Sequence, residues 1–392
     1  MRTATGRRPD RESRTENPRR PATRRGAGIG ATDAVAAAFL CLALLFASPG
    51  PAAAQGGDVV YAPNQPDATV SVIDTESRAV VETIDLQELG FPPDAKPHDV
   101  VAAPDGSAWY VSLIGANTVV KFNADNQMVG KAEFEVPGMM ALTGDGGTLF
   151  VGRSMSAVNP PKSIGRIRTS EMTPEGVTAE RVEVLFPRPH AVATDAEGRH
   201  LHTASLAVNR IAALPADSET PEIISVDGPT HTFVQFAVSP DGERLVATGQ
   251  VSGRLLVFDR TEPDRLPLLA SIEVGSEPWH PVFTPNGRYV VFGNKKDDTV
   301  TVVDAEGWQV VAVVEGEALS QPHGAVAGSE GRYVYVSSNN LDGAWKPDGW
   351  SASEGEESPP GNVAVIDLET RSVADVIPVG HDPNGLGLRP GR

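Results

Sequence analysis

One ten-residue segment returns along the chain at near-constant spacing, and that repetition limits the fold more than any other feature. Its clearest copy is Pro97-His98-Asp99-Val100-Val101-Ala102-Ala103-Pro104-Asp105-Gly106, followed by Trp109-Tyr110-Val111-Ser112. It recurs as PHAVATDAEG from Pro189, FVQFAVSPDG from Phe233, PWHPVFTPNG from Pro278 and PHGAVAGSEG from Pro322. A weaker copy, PGMMALTGDG, starts at Pro137, and a terminal one, PNGLGLRPGR, starts at Pro383. Successive copies lie 40, 52, 44, 45, 44 and 61 residues apart, and the two long intervals carry insertions at 153–162 and 342–361. A period of about 40–45 residues is the length of one propeller blade.

Each period reads as four short strands. An alternating strand such as Val100–Ala102 runs into an Asp-Gly, Asn-Gly or Glu-Gly pair, the chemistry of a tight hairpin. A second strand follows, and a third ends in Asp and a small turn, as in VSVIDTES, LLVFDRTE, VTVVDAEG and VAVIDLET. The fourth is β-branched, and no stretch after residue 54 keeps a helical period. Residues 58–85 supply strands two, three and four of a blade, while 384–388 supply only an innermost strand. Pairing these two ends closes the ring and removes its open edges. The expected fold is therefore an all-β, seven-bladed propeller of four antiparallel strands per blade, spanning 55–392.

The first 54 residues belong to a different category. Residues 2–25 hold nine Arg and no Lys, 34–47 form an apolar run, and Ala52-Ala53-Ala54 offers a cleavage signal. That order describes a secretory signal peptide. Fourteen apolar residues fall short of the about 20 that a membrane span needs, so no stable span is expected after cleavage. Export to the periplasm or the extracellular space follows. Cys41, the only cysteine, lies inside the discarded run, which excludes disulfides, thiolate metal sites and covalent c-type haem from the remainder. The leader's surplus of five positive charges leaves 338 residues at −23 rather than −18. A field of that sign disfavours nucleic acid and anionic lipid. A small molecule or a protein is the expected partner of a chain acting as a monomer.

Tyr335-Val336-Ser337-Ser338, the Tyr110-Val111-Ser112-Leu113 run, Val72-Ile73-Asp74-Thr75-Glu76-Ser77 and the Pro-His openings resemble the YVTN-repeat β-propellers of bacterial secreted proteins. The resemblance covers essentially all of the chain after the leader. It implies the fold and no single activity, because one propeller scaffold hosts many functions. Related propellers include the d1-haem domain, the catalytic domain of nitrous-oxide reductase, lactonases and streptogramin-lyase-like proteins.

Six of the eight histidines fall at or just before an innermost strand. His98, His190 and His323 follow the repeat's Pro directly; His280 comes one place later, displaced by Trp279; His231 and His381 come three places earlier. A propeller gathers these segments at one mouth of its channel. Imidazoles collected there are candidate ligands for a transition metal such as copper, zinc or iron, with His98, His190 and His323 as the candidate set. The likeness to nitrous-oxide reductase draws attention to copper, although no cysteine-rich copper domain is present. The competing role is packing, in which a ring beside the channel hydrogen-bonds a neighbouring blade. His200 and His202 share one face of a second strand, where ordinary strand side chains are the simpler reading.

The loops joining second to third strands should open on the same face. The longest, 340–361, carries Trp345, Trp350 and the acids Glu354, Glu356 and Glu357; binding commonly resides on such loops. Signatures of a hydrolase elbow, a nucleotide loop, a zinc protease or haem attachment are missing. Ile164-Gly165-Arg166-Ile167 is similar to a strand of the streptogramin-lyase-like propellers, whose channel histidine acts as a base. The expectation is a non-enzymatic scaffold that binds through its histidine-lined face. A metal-handling or redox protein and a lactonase- or lyase-like enzyme are the alternatives.

Overall fold

In a computed structural model of the chain, the described residues are 57–391 apart from 157, 216, 217, 219 and 353–357. The expected leader, with Cys41, lies outside them. Turn residues and β-branched runs fall into seven sheets. Blade 1 comprises Pro97–Ala102, Ala108–Leu113, Thr118–Asn123 and Met128–Glu133, and later blades repeat that order from Pro137, Pro189, Phe233, Val282 and Pro322. Blade 7 combines Gly387–Arg389 with Val59–Asn64, Thr69–Asp74 and Ala79–Asp85, in the order expected for closure. Val59, Val60 and Tyr61 pair antiparallel with Arg389, Leu388 and Gly387. Among the described residues no helix is long and apolar enough to cross a membrane.

One blade departs from the four-strand plan. Val177–Thr178, part of the connection within blade 2, adds in parallel to the outer edge of blade 1 against Ala132 and Glu133. The added strand covers an edge that would otherwise present unpaired backbone groups.

The core lies between blades. Successive strand residues point to opposite faces, and each sheet buries both faces against its neighbours. Val363 and Val365 pack toward blade 7 with Val60 and Ile73, whereas Ala364 and Ile366 pack toward blade 5 with Val300 and Val302. Two-sided burial explains why middle strands such as Leu255–Phe258 read as unbroken apolar runs. At the closing seam, Trp109 stacks on Tyr61 and on Phe122, each at 4.2 Å between ring centres. Both Trp109 Nε1 and the Tyr61 hydroxyl donate to Asn126 Oδ1 at 3.1 Å, and Arg389 Nε donates to Tyr61 at 3.0 Å. The two termini of the fold are thus locked by an aromatic pile with satisfied polar edges.

Two local devices aim the innermost strands. The residue before each repeat start is left-handed in all seven blades: Lys96, Val136, Arg188, Thr232, Glu277, Gln321 and Asp382, with φ between 45° and 57°. None is glycine, so each carries the steric cost of that conformation, about 1–2 kcal/mol. The ladder to the second strand then skips, between Pro97 and Val100, Pro137 and Met140, Pro189 and Ala191, Phe233 and Phe236, and Pro322 and Ala325. A bulge re-aims a side chain out of the sheet, and the residue after the repeat's Pro sits in that irregular stretch. Gly152, opposite this stretch in blade 2, has no room for a side chain, since a Cβ there would lie 2.1 Å from the His190 carbonyl.

Candidate functional site: a four-histidine channel mouth

The openings of blades 1, 3, 5 and 6 bring His98, His190, His280 and His323 together. Ring centres are 6.4 Å apart for His98 and His190, 6.1 Å for His98 and His323, and 4.6 Å for His280 and His323. Trp279 joins them at 4.2 Å from His323 and 5.7 Å from His280. All are deeply buried, the histidines 0–6% exposed and the tryptophan 6%. On its other side Trp279 packs against Leu206, Val234 and Met155, which gives the mouth an apolar flank facing the imidazoles.

Burial sets the protonation of this group. It holds His98 down at about 3, with His190 next in influence and Asn384 opposing, and it holds His190 at about 4. His280 and His323 lie well below the ordinary histidine value for the same reason, reinforced by their neighbouring rings and by Lys295. Four imidazoles this close cannot all carry charge out of water. At neutral pH each is uncharged and offers one N–H and one lone pair.

Their hydrogen bonds are half made. His190 Nδ1 donates to the Arg153 carbonyl at 2.5 Å, which leaves Nε2 as the lone-pair nitrogen. His98 Nδ1 meets the Gln65 side-chain nitrogen at 3.1 Å. The buried Nε2 atoms of His98, His190 and His280, Nδ1 of His323 and Nε1 of Trp279 have no hydrogen-bond partner within the protein. Buried polar atoms are normally paired, and leaving one unpaired costs about 1–3 kcal/mol. Five gathered in one cluster make a polar surface without an internal complement. Among the described residues, no three histidine, cysteine or carboxylate side chains stand already arranged as ligands around one ion.

Charged groups border the rings. Lys295 Nζ lies 4.9 Å from the centre of the Trp279 ring, where burial lowers its pKa against the pull of Asp382 and Glu277. Burial raises the Asp382 carboxyl in turn. Below the mouth Asp99, 4% exposed, accepts the Met140 backbone N–H at 2.8 Å, and burial pushes its carboxyl up to about 8.

The other singled-out residues lie apart from this cluster. His231 uses Nδ1 with Ser252 Oγ at 2.9 Å and Nε2 with the Asp227 carbonyl at 3.3 Å. His381 contacts Asp67 Oδ1 at 3.0 Å and the Ser358 carbonyl at 3.2 Å. Both pin an incoming loop to the turn of its own blade, which accounts for their register three places earlier. Trp345 is held through its backbone by Asn340, and Trp350 lies under the Lys346 ammonium, both on the long loop. His202 is buried and meets the Pro263 carbonyl at 2.8 Å, while His200 faces Asp195 at 3.6 Å and Asp264 at 3.8 Å.

Gln65, Lys295 and Leu206 belong to the mouth and were not anticipated from the sequence. Each directly follows a second strand, those ending at Asn64, Asn294 and Ser205. Aligning the repeats at that position, as well as at Pro, would have found them. A surface groove of about 650 Å³, apart from the four rings, is bordered by Ser252, Arg254, Glu273 and Lys296.

No family model matches the sequence, and no curated protein matches it. Solved structures do. A hydrazine synthase structure from Kuenenia stuttgartiensis superposes with a TM-score of 0.60 at 18% identity, covering 75% of this chain and 90% of that one. A functionally unknown protein from Desulfotomaculum acetoxidans gives 0.66 at 12% identity, covering 85% and 99%. At such identities the likeness is one of fold, and with the seven closed sheets it makes this chain a seven-bladed β-propeller.

Proposed function

We propose that this is an exported binding propeller of the YVTN-repeat type, whose working site is the channel mouth formed by His98, His190, His280, His323 and Trp279. The observation that carries the reading is the set of unpaired, buried ring nitrogens at one point of the molecule. A mouth built only for packing would carry apolar rings there or pair each nitrogen internally. The tight burial of the four rings limits the ligand to something far smaller than the 300–1,000 Å³ of a typical organic-ligand pocket. Export rests on the leader composition, and binding rather than turnover rests on the lack of a positioned nucleophile at the four rings.

Thermal unfolding across a panel of small probes tests the reading: first-row metal ions, inorganic oxyanions and small heteroaromatics. At least one class should raise Tm in the native protein and lose that effect in His190→Phe. No shift from any class, or shifts that His190→Phe leaves intact, would remove the mouth as the working site.

A further inference from the structure

The geometry points to a single first-row transition-metal ion, copper or zinc, as the ligand of His98, His190, His280 and His323; this rests on the binding-propeller reading above. Metal–nitrogen bonds of about 2.0–2.1 Å on a tetrahedral ion place neighbouring imidazole centres about 5 Å apart. His280 and His323, 4.6 Å apart, already stand near that value, while His98, 6.1 Å from His323 and 6.4 Å from His190, must move inward for one ion to take the set. The nitrogens that would coordinate are the ones without partners: Nε2 of His98, His190 and His280, and Nδ1 of His323.

Supporting contacts fit the same assignment. A ligating imidazole normally donates its other N–H to a carbonyl or amide, which fixes its tautomer. His190 already does so through Nδ1 to Arg153, whose guanidinium is itself locked by the Ser163 carbonyl and Phe134. For His98, Gln65 holds Nδ1 at 3.1 Å, and a half-turn of its amide presents the oxygen to Nδ1–H without moving the contact. A neutral all-nitrogen set suits copper or zinc and disfavours calcium and magnesium, which need oxygen ligands. Lys295 adds a positive charge beside the ring of Trp279 and so favours a singly charged ion, or an ion that carries an anionic ligand.

The test uses the untagged protein with Cu⁺, Cu²⁺ and Zn²⁺ salts as probes. After equilibration and dialysis, elemental analysis should find one ion per chain, and the Cu²⁺ form should show nitrogen hyperfine splitting in its electron paramagnetic resonance spectrum. His98→Asn and His190→Asn should each weaken binding at least tenfold, while His231→Asn leaves it unchanged. Gln65→Leu, which touches no ion, should weaken binding about tenfold with the fold intact by circular dichroism. The proposal is overturned if a folded protein retains no ion, or if H98N and H190N bind as the native protein does. Should oxyanions or heteroaromatics alone stabilise the protein through His190, the mouth stands as a binding site and the metal assignment fails. If no probe class acts, both fail.

Discussion

Acidification from pH 7 to pH 5 should destabilise this protein through its buried histidines, those of the mouth and His202. Burial holds His98 at about 3, His190 at about 4 and His202 at about 4, against an unfolded value of 6.5. Below 6.5 the unfolded chain therefore takes up protons that the folded chain refuses. The stability is complete above 6.5 and drains away as the pH falls toward 4, at about 2 kcal/mol per ring between pH 7 and 5. Asp99 works in the opposite sense, because its folded value near 8 exceeds the unfolded 3.8; it returns about 3 kcal/mol over the same interval. These four groups together leave a net loss of about 3 kcal/mol at pH 5, and His280 and His323 enlarge it. Above pH 7 the histidine contribution is complete and constant and the ionisation of Asp99 dominates, so stability peaks near neutrality. Urea unfolding at half-unit pH steps reads this curve, and Asp99→Asn should flatten its alkaline limb and steepen its acid limb, where the carboxyl no longer offsets the histidines. A midpoint unchanged between pH 7 and 5 would refute the buried, neutral state of the rings.

Further perturbations address the ring and the mouth separately. Trp109→Ala removes the centre of the closing aromatic pile and should cost about 3–5 kcal/mol in urea unfolding, as for other large buried aromatics. Gly385→Val would drive a Cβ to 2.4 Å from Asp99 Oδ1; it should loosen the closing strand and speed proteolysis of the C-terminal residues, with little effect on the middle blades. Trp279 lies 4.2 Å from His323, so Cu²⁺ bound at the mouth should quench part of the intrinsic fluorescence, and Trp279→Phe should abolish that quenching while copper still binds.

The fold was legible because a propeller writes itself into sequence many times over. Asp-Gly and Asn-Gly turns, β-branched third strands and a seventh innermost strand stranded at Pro383 leave one closed solution. The added parallel strand at Val177–Thr178 was not legible, since two residues carry no periodic signal and their partner belongs to another blade. Within the site, register alone brought His98, His190 and His323 to the same place. It also brought in His280, which takes the place that Asp99 holds in blade 1, one residue further along the same opening. His231 and His381 share the loop but not the bulge, and their side chains turn to Ser252 and Asp67 instead of the channel. Which nitrogens stay unpaired depends on contacts across blades, such as Arg153 to His190 and Gln65 to His98, and a linear pattern does not record them.

The most direct test of the four-histidine mouth is anomalous diffraction from crystals soaked in copper or zinc. The account predicts one strong peak enclosed by His98, His190, His280 and His323, with Trp279 beside it. A peak confined to the outer histidine His200 with Asp195 and Asp264, or no peak in crystals whose four rings keep their present arrangement, would contradict it.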